Sequence, residues 1–355
     1  MSGYLPVVRS ASLNGYVELA QSLGLDAPAM LRQVGLNTRL LNDPETPIST
    51  QSVRQLLQNS AVATGLDDFG LQLAAQRSFS NLGPIGLVLK AEPSARAALD
   101  TLCRYLRLLN ASLLTRLEER NGLLLISEDM VGEPGARFEQ SMQLAVGVMH
   151  RILRELLGPN WQPLSVGFRQ TSPEKPERFE RFFNTRVAFG VGYNGLVCRS
   201  VDLSRSLQGS QPELVAFARR QLDQALARGE LNTQTTVRQL IMALLPGGRC
   251  TAQQVAAHLG VDRRTLHRHL GRDGQDFSQL LQTVRLEMAT HQVGQGQRPL
   301  VEVSALLGFA SPSAFAYWFR RSFGCSARQW RARPDSLRAA GGSVATVVEV
   351  SRTEQ

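Results

Sequence analysis

The stretch from Thr251 to Leu270 leaves this chain the least freedom. Thr251 can cap a helix, and Gln254 stands three residues on, the spacing of a capping box. Val255, Ala256 and Leu259 fall on one helical face. Gly260 then interrupts, at a point where positive φ costs little. Val261 follows as a buried turn residue, and Asp262 caps a second helix with Leu266 and Leu270 as its apolar face. Helix, glycine-containing turn and helix at this spacing make a helix-turn-helix. The outward face of the second helix carries Arg263, Arg264, Thr265, His267, Arg268 and His269. A helix fits the major groove of B-form DNA, and such side chains reach base edges and phosphates.

The pattern returns between Pro299 and Phe323. Leu300, Val303 and Leu306 make a helix face, and Gly308-Phe309 is the turn. Ser311 caps the next helix, with Pro312 at its first position, where a missing N–H costs nothing. Phe315 and Phe319 point inward at i, i+4, leaving Ser313, Tyr317, Arg320 and Arg321 outward. Asp262 and Ser311 are 49 residues apart, so these are two units. Between them, Phe277 to His291 predicts a long amphipathic helix, with Leu280, Leu281, Val284 and Met288 on one side. Such a helix can hold the two units at a fixed separation.

Charge follows the same division. The 355 residues carry a net charge of +9, and arginine supplies nearly all the positive charge, the lysines being Lys90 and Lys175 alone. From Thr233 to Asp335, thirteen Arg face six acidic residues, so this segment holds seven of the nine excess charges. Arginine offers a permanently charged planar fork suited to phosphates and guanine edges. Charge concentrated in one domain is the footprint of a nucleic-acid partner.

Upstream, residues 13–109 read as helical. Tyr16, Leu19, Ala20 and Leu23 form one stripe, ended by Gly24. Ser49 to Ala63 forms another, and Pro93 to Leu109 a third, capped by Ser94. Asn121-Gly122 between Leu113–Leu117 and Leu123–Ser127 predicts a β-hairpin. Ala136 to Leu157 returns to helix and stops at Gly158-Pro159. Leu164 to Arg169 reads as a strand, and Pro176 to Phe183 as a short helix. Arg186–Ala188 and Leu196–Cys198 predict a second strand pair about Tyr193-Asn194-Gly195. Pro212 to Ala227 closes the domain as a helix. The expected fold is multidomain: an α+β N-terminal domain of helices plus a small antiparallel sheet, then an all-α double helix-turn-helix domain. Expected bounds are 1–228 for effector binding and dimerisation, 229–234 for a linker, 235–335 for DNA binding and 336–355 for a tail.

Val255-Ala256, Leu259 through Arg268, and Leu307 through Phe315, followed by Gly324 and Trp330-Arg331, together resemble the two units of an AraC/XylS regulator. Motif, order and spacing all match over roughly residues 235–333. The resemblance implies seven helices, with both recognition helices in successive major grooves of one DNA face, roughly 34 Å apart. Base-reading positions fall on Arg264, His267 and Arg268 in the first unit and on Ser313, Ala316 and Tyr317 in the second. Arg263, Thr265, Ser311, Arg320 and Arg321 complete the expected DNA-binding set. The chain departs from the family at Tyr317, where Arg is frequent, at Trp318, where a small residue is usual, and at Ser326-Ala327, where Ser-Pro is usual. Stronger base reading by the first unit is therefore expected. Phosphate contacts from Arg320 or Arg321 and apolar contact to thymine methyls are expected from the second. More faintly, Gly83-Pro84-Ile85-Gly86 and the segment Phe183–Leu207 resemble the effector domain of the ornithine-utilisation-regulator branch. That resemblance implies a dimeric small-molecule-binding domain distinct from the sugar-binding cupin.

The implied function is sequence-specific regulation of transcription on double-stranded DNA: an activator under an effector of unknown identity, working on RNA polymerase as a homodimer. The alternatives are a regulator governed by protein partners without a ligand, an RNA-binding or structural adaptor, and an enzyme. No GxSxG, HExxH or Rossmann fingerprint is present, so no catalytic residue and no cofactor are expected. His267 and His269 at i, i+2 point apart, which argues against a metal. Gly83 to Gly86 lacks the phosphate-loop pattern and reads as a turn before Leu87. Glu118-Glu119 and Glu128-Asp129 flank the hairpin and read as solvated turns. Met142, Met149 and Trp161 read as core or interface. Cys103, Cys198, Cys250 and Cys325 form no CxxC pair and read as reduced thiols in or near the cores. No membrane-length apolar run and no charged-then-apolar N-terminus occur, so a cytoplasmic protein is expected.

Overall fold

The chain divides into two units, Met1–Glu230 and Leu231–Gln355. The computed structural model describes residues 7–130, 138–207, 212–228, 233–245, 250–259, 261–272, 274–294 and 298–332. Residues 229–232 of the expected linker, the expected turn residue Gly260 and the whole 336–355 tail lie outside the described residues.

In the first unit, β1 (Val7–Arg9) pairs antiparallel with β2 (Pro47–Ser49) beside the helices α1 (Tyr16–Ser22), α2 (Ala27–Gln33), α3 (Thr50–Thr64), α4 (Phe69–Ala75), α5 (Pro84–Lys90) and α6 (Ala95–Leu109). Short polar side chains start several of these helices by accepting a free backbone N–H. Ser49 accepts from the N–H of Ser52 at 3.3 Å, and Ser94 from that of Ala97 at 3.2 Å. Gly83 stands at φ 59° ahead of Pro84, so the Gly83–Gly86 segment opens a helix rather than forming a free turn.

The main sheet holds β3 (Leu113–Arg120), β4 (Leu123–Met130), β5 (Ser165–Phe168), β6 (Val187–Phe189) and β7 (Gly195–Arg199), in the order β3-β4-β7-β5-β6. The expected hairpin is present. Asn121 and Gly122 take φ 51° and 75°, and Arg120 faces Leu123 across the two-residue turn. Two positive φ values suit the twist of a tight hairpin.

The expected second strand pair is not formed. β7 pairs antiparallel with both β4 and β5, while β6 lies parallel to β5. The helix α8 (Pro176–Phe183) separates β5 from β6, giving the crossover that a parallel pair requires. Gly195 belongs to the strand, and a β-carbon there would collide with the carbonyl oxygen of Ile126. The glycine thus serves close strand approach, not a turn. The carboxylates also need correction. Glu128 and Asp129 lie within β4, with Glu128 2% exposed and Asp129 between Arg116 and Arg169. Among the described residues, this open sheet differs from the eight-stranded double sheet of a cupin.

The long helix α7 (Glu139–Leu157) buries Val146, Met149 and Leu153, and α9 (Ser200–Leu203) and α10 (Pro212–Arg228) follow the sheet. Met142, Met149 and Trp161 are buried, as core residues are.

The second unit holds helices and no strand among its described residues: α11 (Thr233–Leu244), α12 (Ala252–His258), α13 (Arg263–Arg272), α14 (Phe277–Gly294), α15 (Leu300–Leu306), α16 (Pro312–Phe323) and α17 (Ala327–Arg331). The central α14 packs against α11, α15 and α17. Arg238 on α11 pairs with Glu287 on α14. Val255, Leu259, Leu266, Leu270, Leu280 and Val284 are buried in the first half. Phe315, Phe319 and Trp330 are buried in the second.

Candidate nucleic-acid interface

Each candidate reading helix is started by a side-chain cap. Thr251 accepts from the Gln254 N–H at 3.2 Å and opens α12. Asp262 accepts from the Thr265 N–H at 2.6 Å and opens α13. The backbone and side-chain hydrogen bonds from Thr265, with the Arg264 N–H and the nearby Arg268 charge, hold the Asp262 carboxyl below its ordinary pKa. Ser311 accepts from the Ala314 N–H at 3.2 Å and opens α16 with Pro312 in its first turn.

Burial then decides which face of α13 remains free. Leu266 and Leu270, four residues apart, are fully buried. Arg263, Arg264, His267 and Arg268 are exposed, and Thr265 is half-buried. The Arg263 Nε lies 3.4 Å from the His267 Nε2. His269 is half-buried, and no group of three or more metal-ligating side chains occurs among the described residues.

On α16, Phe315 and Phe319 are buried, and Ser311, Ser313, Ala316, Tyr317, Arg320 and Arg321 are exposed. Tyr317 is 71% exposed, the most exposed large hydrophobic residue but one among those described. Thus both helices turn their predicted polar positions outward and the two groups remain on separate helices.

Trp318 was not expected to contribute. It is half-buried, its ring lies 5.1 Å from that of Phe309, and its Nε1 donates to Gln282 Oε1 on α14 at 3.2 Å. Beside it, the Arg285 guanidinium of α14 stands 5.1 Å over the Phe309 ring and donates to the Leu307 carbonyl at 3.3 Å. The central helix thereby grips the turn of the second unit. The signal was in the chain: Phe309, Phe315, Trp318, Phe319 and Phe323 make a dense aromatic run, and such a run packs on itself. At the end of the unit, Ser326 and Gln329 form a capping box without the usual proline.

Residues 24–207 match the family model described as the arabinose-binding N-terminal domain of the AraC transcription regulator, and residues 255–333 match a helix-turn-helix domain model. The chain is 26% identical over 330 residues to the HTH-type transcriptional regulator VirS of Mycobacterium tuberculosis, covering 92% of this chain and 96% of that protein. It is 25% identical over 334 residues to the ornithine utilization regulator of Pseudomonas aeruginosa, covering 93% and 97%. The HTH-type transcriptional regulator VqsM of the same organism is 22% identical over 305 residues, covering 83% and 94%.

Proposed function

Since the chain belongs to the AraC family of transcription regulators, whose helix-turn-helix domain binds DNA, we propose that it is an effector-controlled activator reading DNA unequally through its two units. Arg264, His267 and Arg268 take base edges in one major groove. Arg263, Thr265 and Ser311 fix the helices on the backbone. Ser313, Ala316 and Tyr317 enter the next groove, where Arg320 and Arg321 hold phosphate. One observation carries this: α13 buries Leu266 and Leu270 and leaves Arg264, His267 and Arg268 in solvent along its first two turns, the half from which recognition helices contact bases.

The first unit takes the effector and makes a homodimer. The second is bound to promoter DNA beside RNA polymerase, in the cytoplasm. No described helix is long and apolar enough to cross a membrane. Selection of the full-length protein on random DNA duplexes, followed by footprinting, tests the reading. We expect two protected windows about one helical turn apart, with the stricter sequence preference in one of them. Equal affinity for single-stranded RNA at the same salt, or a single short window, would overturn it.

A further inference from the structure

The first unit holds a partly open cavity of about 460 Å³, within the range of small-molecule pockets, roughly 300–1,000 Å³. Helices α6 and α7 supply its apolar side through Leu102, Leu106, Leu144, Val148, Met149 and Ile152. Its polar side has groups left without partners. Ser12 Oγ, Arg77 Nε and Glu128 Oε2 are buried and make no hydrogen bond, and all three residues line the cavity. Buried polar atoms are normally paired, so three orphans within residues that line one cavity leave its polar wall short of hydrogen-bond partners.

The charges lining the cavity set the sign of that ligand. Arg9 is paired with Glu45, and Lys90 with Glu155 at 2.9 Å. Arg77 donates to the carbonyl oxygens of Ala11 and Asn14, and Arg151, which also lines the cavity, donates to the Arg77 carbonyl at 2.7 Å; neither has a carboxylate partner among the described residues. Glu128 does not neutralise it. Burial pushes the Glu128 carboxyl up to about 8, with the neighbouring Asp129 charge adding to that rise and the Thr115 hydroxyl opposing it. The raised carboxyl favours the neutral acid, whose O–H can donate.

We propose that this cavity binds an amphipathic organic monoacid: a carboxylate at Arg77, an apolar body along α6 and α7, and an acceptor atom facing Glu128. A cationic ligand would bring like charge to two unneutralised guanidiniums, Arg77 and Arg151, and a neutral one would leave them unmatched. The proposal deepens the effector reading above and rests on it only for what binding accomplishes.

Decanoate, decanol and decylamine share one apolar chain and differ in head charge, so they separate the possibilities. Thermal shift and calorimetry on the full-length protein at neutral pH should rank decanoate first, at least tenfold tighter than decanol, with decylamine weakest. Arg77→Gln should bring decanoate down to the level of decanol and leave decanol unchanged. Because Arg77 also ties down the Ala11 carbonyl, Val148→Phe serves as a second variant: it fills the apolar side and should abolish binding of decanoate and decanol alike. Equal binding of all three probes, preference for the amine, no binding at all, or full decanoate binding by a folded Arg77→Gln or Val148→Phe protein would overturn the site. Binding in the expected order with unchanged DNA affinity would uphold the site and overturn the effector reading alone.

Discussion

The two helix-turn-helix units are built by opposite means. In α13 the inward face is two leucines, Leu266 and Leu270, and three guanidiniums stand in its first two turns. In α16 the inward face is aromatic. Phe319 stacks on Phe323 at 4.2 Å and meets Phe315 and Trp330 edge-on, and the exposed arginines, Arg320 and Arg321, sit in the last turn. A recognition helix meets base edges with its N-terminal residues. The same fold therefore presents long cationic forks where bases are read in one unit, and a serine, an alanine and a tyrosine in the other. Aromatic packing is concentrated in the second helix-turn-helix and polar reach in the first.

The largest effect that can break this contrast is on stability. Phe319→Ala removes a fully buried ring from the aromatic cluster and should cost the second unit about 3–5 kcal/mol. Leu266→Ala, which empties a smaller site, should cost less. Denaturant titration of the full chain, followed through tryptophan fluorescence, measures both. Equal losses would mean that the aromatic cluster adds no more than ordinary apolar burial, and the contrast in packing would carry no energetic weight.

The next effect is on DNA. Arg268→Ala should weaken binding to the selected duplex by about 1–3 kcal/mol and relax preference at one position. Arg320→Ala should weaken all duplexes alike and reduce the salt slope of log K by about one. Fluorescence anisotropy against selected and scrambled duplexes at several salt concentrations separates the two. A reversed pattern, with base preference lost at Arg320 and only salt dependence at Arg268, would exchange the roles of the units.

Local chemistry made the C-terminal unit, Leu231–Gln355, readable in sequence. Caps at Thr251, Asp262 and Ser311 and apolar pairs at i, i+4 act over a few residues, and the observed helices start and bury where those signals lie. The sheet of the first unit was readable only as far as its signals were local. Asn121-Gly122 names its own turn, whereas Asn194-Gly195 carries the same dipeptide for another reason. There the Asn194 side chain accepts the Arg169 N–H at 2.9 Å, and the bare glycine backbone admits β4. Only strand partners distant in sequence distinguish the two cases. Glu128 was misread although part of its signal is local. Leu124, Ile126 and Glu128 alternate at period two, which places the acid on the buried face of β4. That it faces a cavity depends on α6 and α7, which no period reveals. On the DNA side, exposure was legible and so was the aromatic run around Trp318, but the hydrogen bond from Trp318 to Gln282 was not, because its partner lies 36 residues away.

The smallest expected effect concerns the caps themselves, since one can gain a proton and the other cannot. Asp262 has its carboxyl lowered below the ordinary value by the Thr265 hydrogen bonds. A lowered carboxyl contributes its stabilisation above the unfolded value and loses it as pH falls through the lower folded value. The Ser311 hydroxyl has no such window. Following the Thr265 and Ala314 amides by NMR from neutral to acid pH should show the first moving, with a midpoint below that of an unperturbed aspartate, while the second holds. Asp262→Asn keeps a capping oxygen and should erase the movement. If both amides shift together, or if the Thr265 shift survives in Asp262→Asn, then the start of α13 is set by the fold around it, and the two reading helices are capped alike.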